Sequence, residues 1–160
     1  MSRDQAFTDA ARTLGHSFDG EIKAGGNYVP LVRVGATIHV SGQVPRVGDV
    51  VVVTGRVGAE VTLERARHAT QVCAMRALAL LQRSLGSLEK IRALPKVNVY
   101  VQSADDFTQQ SEVADAASAL LLAVLGPAGA HARTSVGVYR LPKNAAVELD
   151  LVAIAEAEAH

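Results

Sequence analysis

The chain has 160 residues, 49% of them apolar but none tryptophan, and its 16 Lys+Arg balance 16 Asp+Glu. That length favours one domain with a core that needs no staples. The neutral balance argues against nucleic-acid or strongly acidic partners, and the single cysteine excludes an internal disulfide and a cysteine-rich metal site.

Apolar positions Ala6, Phe7, Ala10, Ala11 and Leu14 have helical spacing, with Gly15 as a stop. This polar opening segment, an extension of about residues 1–20, does not read as a secretory leader. Residues 16–27 read as loop. The period then changes: YVPLVRVG and ATIHVSG are short, β-branched and bounded by glycine, so two strands are expected around Gly35-Ala36. QVPRVGD is a turn, and VVVTGRVG starts a third strand.

From Thr62 to Leu85 the period is helical, with Thr62 able to cap and Gly86 to stop. Its apolar stripe is Ala66, Ala69, Val72, Cys73 and Leu80, and Arg65, Arg67, Arg76 and Arg83 fall largely elsewhere. KVNVYVQS (96–103) alternates as a half-buried strand. Asp105 or Asp106 can cap a helix over 107–126, which Gly126-Pro127 ends. Two strands close the chain, RTSVGVYRL and AAVELDLVAI, read as a pair joined at Pro142-Lys143-Asn144, followed by a frayed tail over about 156–160. The order predicts a single α+β domain over 1–160, with one mixed sheet and both long helices on one face.

In the last strand Val147, Leu149, Leu151 and Ala153 form an apolar face for the helices. The opposite face, Ala146, Glu148, Asp150 and Val152, mixes apolar and acidic residues, which suggests a subunit contact containing a polar pocket.

Candidate chemistry is sparse. Cys73 lies on a helix's apolar stripe and reads as a small buried residue. His39, between Ile38 and Val40, reads as a sheet-face residue. The histidines at 16, 39, 68, 131 and 160 show no HExxH or zinc-finger spacing, and no Walker A, GxGxxG or GxSxG pattern occurs. Arg133, Glu148 and Asp150, with Tyr28 and Ser41, remain. A carboxylate among apolar neighbours needs a partner, or its pKa rises. Arg133 and Glu148 together would supply a carboxylate fork and a general base for a small anionic ligand. No apolar run reaches the ~18 residues needed to span a bilayer, so the expected setting is the cytoplasm.

These residues resemble a known family. ARTSVGVYRLPKNAAVELDLVAI is similar to the C-terminal signature of the RidA/YjgF family, with Arg-Ser/Thr before a strand, Leu-Pro at the turn and Glu in the last strand. IHVSGQVP looks like its Ser-Gly-Gln strand. The resemblance covers roughly residues 28–155. It implies a chorismate-mutase-like fold and a homotrimer in which the sheets form a central barrel with ligand clefts between subunits. It also implies hydrolysis of enamine or imine intermediates, such as 2-aminoacrylate, to a 2-keto acid and ammonia, without metal or cofactor. By position, Arg133 would clamp the substrate carboxylate and Glu148 would orient or deprotonate the attacking water. Ser135 would present its backbone to the substrate nitrogen, Tyr28 and Ser41 would line the cleft, and the Gly42 backbone would lie beside the ligand.

The sequence departs from the family where Asn and Tyr are usual in the second long helix: Ser111 and Val113 stand there. That departure motivates an alternative, a non-catalytic trimer binding a small carboxylate metabolite at the subunit interface. An endoribonuclease, an activity claimed for some relatives, ranks below both because neutral charge and few aromatics suit RNA poorly.

Overall fold

A computed structural model describes residues 1–158. Helix α1 (Arg3–Leu14) opens with a reciprocal cap between Ser2 and Gln5 and ends at Gly15 in the left-handed conformation. The strands are β1 (Leu31–Val34), β2 (Thr37–Gln43), β3 (Arg46–Val47), β4 (Val50–Val51), β5 (Ile91–Gln102), β6 (Ala132–Val138) and β7 (Val147–Ala155). The long helices are α2 (Leu63–Leu85), capped by Thr62 and stopped at Gly86 as expected, and α3 (Gln110–Leu125).

Five strands form one mixed sheet in the order β1-β2-β7-β5-β6, and β3-β4 make a separate small hairpin. The expected third strand is thus not a sheet member beyond isolated bridges, Thr54 to Ala145 and Val57 to Ser103 and Val61. Gly48 (φ 59°) turns the chain back, so Val50–Val51 pair with Arg46–Val47 instead.

The two closing strands are not a hairpin. β5 lies between them, parallel to β6 and antiparallel to β7. The link at Pro142–Asn144, with Lys143 and Asn144 both at positive φ, therefore crosses over β5. The buried Gln102 side chain fixes this link: its Oε1 accepts from the Leu141 amide (2.7 Å) and its Nε2 donates to Asn144 Oδ1 and the Gly55 carbonyl (2.9 Å each).

One face of the sheet carries Ile38, Val40, Val97, Val99, Val101, Leu149, Leu151 and Ala153, all buried, and α2 and α3 pack on it. The face opposite is bare in one chain. It shows Val32 and Val34 from β1 and Val136 from β6 as exposed apolar residues, in register with His39, Thr37 and Tyr100. β5 begins five residues earlier than its clean alternation, because the register slips around Pro95, which lacks an amide to donate.

α3 starts at Gln110, and neither Asp105 nor Asp106 caps it. The backbone before it is already committed: the Ala104 amide donates to the Val57 carbonyl (2.9 Å), and the Phe107 amide closes a turn on Ala104 (3.1 Å). Residues Gln110–Gly129 are long and apolar enough, by composition, to cross a membrane, but half of that window is buried against the protein. Helix packing on α2 and the sheet accounts for its apolar character.

The N-terminal extension docks on the body. The Asp4 carboxylate accepts from Gln82 (2.7 Å), Ser87 (2.5 Å) and the Leu88 amide (3.0 Å). Within the tail expected to fray, Glu156 is hydrogen-bonded: its amide donates to the Lys90 carbonyl, and its carbonyl accepts from Arg33. Ala159 and His160 lie outside the described residues.

Candidate active site

The site is built at a break in strand pairing. Between Val40↔Leu151 and Gln43↔Leu149, β2 spends three residues where β7 spends two. Ser41-Gly42 therefore forms a bulge, a device that re-aims side chains near active sites. Glu148 on β7 lies over this bulge, with its side chain against Gly42. A cavity of about 230 Å³ opens there, lined by Tyr28, Ser41, Gly42, Gln43 and Glu148, with Arg76 of α2 and Lys143 of the crossover link in its wall. That volume suits a small metabolite rather than a drug-sized ligand.

Glu148 is half-buried and forms no hydrogen bond or ion pair among the described residues. Burial pushes its carboxyl above the ordinary value, and the charge of Asp150 two residues on adds to the effect. Asp150 is better provided for, accepting from Asn98 Nδ2 (2.8 Å). Burial also raises the Tyr100 hydroxyl, with the neighbouring Asp150 contributing. The half-buried, unpartnered carboxyl is the group in this cavity suited to accept and return a proton.

Gln43 holds the cavity floor. Its Nε2 donates to the Ser41 carbonyl (3.0 Å) and reaches Ser41 Oγ (3.3 Å), while its Oε1 accepts from Arg76 Nε (3.2 Å). Arg76, expected on the polar side of its helix, is instead 6% exposed. Cys73 is fully buried and burial pushes its thiol far up, so it is no nucleophile. No cluster of metal-ligating side chains occurs among the described residues.

Within one chain Arg133 does not join Glu148. Arg133 pairs with Val97 on β5, and Val97 with Leu151, whereas Glu148 pairs with Tyr100. Arg133 is thus two strands across and three residues along, roughly 14 Å away at strand spacings. It also points to the helix face, whereas Glu148 points to the bare one. The expectation that both share one region of a strand pair fails because β5 intervenes. The Arg133 guanidinium is held at the edge by α3, donating to Asp115 Oδ1 (2.9 Å), Ser118 Oγ (3.0 Å) and the Ser111 carbonyl (3.3 Å).

The sequence-derived residues therefore fall into two groups: Tyr28, Ser41, Gly42 and Glu148 around the cavity, and Arg133, Ser135 and Ser111 at the β6 edge. Reasoning from sequence missed Gln43, Arg76 and Lys143. The arginine at a mid-helix position flanked by Met75 and Ala77 was the available signal for Arg76.

Comparison with known proteins agrees with this architecture. Residues 13–155 match the YjgF/chorismate mutase-like family model, whose description adds an endoribonuclease only provisionally. Protein TCP17 of Trypanosoma cruzi is 43% identical over 125 residues, 78% of either chain. The crystal structure of Atu1372 from Agrobacterium tumefaciens, a protein of unknown function, superposes with a TM-score of 0.87 at 37% identity, covering 96% of this chain and 95% of its own. The YjgF gene product of E. coli gives a TM-score of 0.60 at 26% identity over 87% of this chain and 95% of its own.

Proposed function

The chain belongs to the YjgF/RidA family, and on that premise we propose that it is an imine/enamine deaminase that works as a homotrimer. The observation that carries the reading is the half-buried, unpaired carboxyl of Glu148 facing a small cavity across Gly42.

In the proposed reaction, Glu148 takes a proton from water as the water oxygen adds to the imine carbon. In the resulting aminol Glu148 returns that proton to nitrogen, the C–N bond breaks, the hydroxyl oxygen becomes the carbonyl as its proton passes to the departing ammonia, and a 2-keto acid and ammonium leave. An enamine first gains a proton at its terminal carbon to become the protonated imine, which the water attacks. The raised affinity of Glu148 for protons suits a group that both accepts and returns one. No cofactor enters these steps.

Arg133 of the same chain is on the wrong face to clamp the substrate carboxylate. Arg133 of the partner subunit is the natural source, already oriented by Asp115 and Ser118. The bare sheet face supports association: it exposes Val32, Val34 and Val136 around Tyr100, Asp150 and Glu148.

The test supplies 2-aminoacrylate from a pyridoxal-phosphate dehydratase and follows keto acid and ammonia. Wild-type protein should accelerate release above background, and Arg133→Ala should lose roughly tenfold or more, as removal of a charge-assisted pair worth ~1.5–3 kcal/mol predicts. Absence of acceleration by the wild type defeats the proposal.

A second reading has one observation in its favour. Ser111 and Val113 replace residues usual in the family, and Val113 is buried in the core rather than available to a ligand. A non-catalytic carboxylate-binding trimer would show saturable calorimetric binding of 2-ketobutyrate with no turnover.

A further inference from the structure

The cavity beside Glu148 carries more positive charge than the proposed reaction uses. Four basic side chains, Lys23, Arg46, Arg76 and Lys143, line it against the single carboxylate of Glu148, in a chain whose net charge is zero. Arg76 is the decisive one. It sits in the middle of α2 at 6% exposure. Its Nε donates to Gln43 Oε1 (3.2 Å) and its Nη1 to the Arg46 carbonyl (2.8 Å). Its Nη2 has no partner among the described residues, and none of the ion pairs found there includes it. The Nε of Arg46, beside it, is buried and also lacks a partner.

An arginine keeps its charge in a protein, and a buried charge without a counter-ion is costly unless something supplies one. Burial first, and then repulsion from Arg46 and Arg83, disfavours the charged guanidinium of Arg76, while Cys73 acts the other way. No carboxylate among the described residues pairs with it to offset that cost. Arg76 and Arg46 both line the cavity that holds Glu148, and Nη2 of Arg76 is the unpaired donor there that is not fully buried.

Resting on the deaminase reading, we propose that Arg76 and Arg46 form a second anion subsite and that the substrate is a 2-imino dicarboxylate. The carboxylate next to the imine carbon goes to Arg133 of the partner subunit. The reacting carbon lies at Glu148, and the distal carboxylate takes Nη2 of Arg76, with the guanidinium charge of Arg46 behind it. Lys23 and Lys143, both exposed, add attraction at the mouth. A substrate with an apolar side chain would leave the guanidinium of Arg76 unpaired in a closed site.

Calorimetry with 2-oxoglutarate and 2-oxopentanoate tests this, because the two acids share chain length and differ in the distal carboxylate. Wild-type protein should bind 2-oxoglutarate about tenfold or more tightly over 2-oxopentanoate, as one charge-assisted pair implies. Arg76→Met should bring the two within about twofold and leave 2-oxopentanoate little changed, whereas Arg76→Lys should keep part of the preference. Thermal melting guards against misfolding: 2-oxoglutarate should raise the melting temperature of wild type by more than that of folded Arg76→Met. Equal binding of both acids, a preference that survives Arg76→Met, or binding of neither acid overturns the subsite. Equal loss of both acids in Arg76→Met makes Arg76 the sole carboxylate clamp and overturns a second anionic group. Discrimination in binding without any imine hydrolysis leaves the subsite standing and defeats only the deaminase reading.

Discussion

Glu148 and Gly42 are in contact across the β2–β7 bulge: a methyl group built on Gly42 would stand 2.7 Å from Oε2 of Glu148 and 2.8 Å from its Cδ. Gly42 has no positive φ that demands glycine, so its requirement here is space. Gly42→Ala should therefore displace the carboxylate while leaving the core alone. The expected result is a loss of roughly tenfold or more in kcat/KM, about 1.4 kcal/mol of transition-state stabilisation. Melting temperature should fall by only a few degrees. A variant with unchanged activity would mean that Glu148 does not need its position over Gly42.

The pH behaviour of Glu148 follows from its surroundings. Its folded pKa is raised above the ordinary value of 4.5, first by burial and then by Asp150. The fold therefore favours the protonated carboxyl. That contribution to stability is full below the unfolded pKa and is lost as pH rises through the folded one. Glu148→Gln removes the penalty, so its gain in melting temperature over wild type should grow from about pH 4 to about pH 8. The same shift places the acid limb of kcat/KM above the usual carboxylate range if Glu148 acts as base. An acid limb at the ordinary position would assign the base elsewhere.

Much of this architecture is legible in the sequence. Thr62 and Gly86 bound α2 because cap chemistry is local, and the parity of β7 correctly sent Leu149 and Leu151 to the helices and Glu148 away from them. Strand order was not legible, because alternation reports which face a residue takes and not which strand lies alongside. β6 and β7 read as partners, yet β5 separates them, and Arg133 thereby loses Glu148 as a neighbour. Arg76 escaped notice because a charge on a helix is presumed solvated; only the cavity at Ser41-Gly42 gives it a place to be buried. The Asp105-Asp106 cap failed because tertiary hydrogen bonds from Ala104 had already fixed the chain.

Asp115 is expected to matter to Arg133 without mattering to the fold. Their contact is 2.9 Å, but Asp115 remains largely exposed, so the ion pair contributes at most about 1 kcal/mol to stability. Asp115→Ala should melt close to wild type. With the guanidinium freed to wander, the KM for an imino acid should rise several-fold while kcat changes less, if Arg133 binds the ground-state carboxylate. An unchanged KM would separate Arg133 from the substrate.

Association through the bare sheet face can be tested at Val136. This residue is 41% exposed on β6 and stands in register with Tyr100, and through it with Glu148. In an assembled trimer, a carboxylate at that position would be desolvated close to Glu148 and Asp150, which raises its cost through like-charge repulsion. Val136→Asp should then sediment as a monomer where wild type sediments as a trimer, with its secondary structure intact by circular dichroism. Activity should fall with assembly, because a lone chain keeps Arg133 roughly 14 Å from Glu148 and on the other side of the sheet. A fully active monomer would require the carboxylate clamp to lie within one chain, and Arg76 is the residue there with an unpaired guanidinium nitrogen to serve.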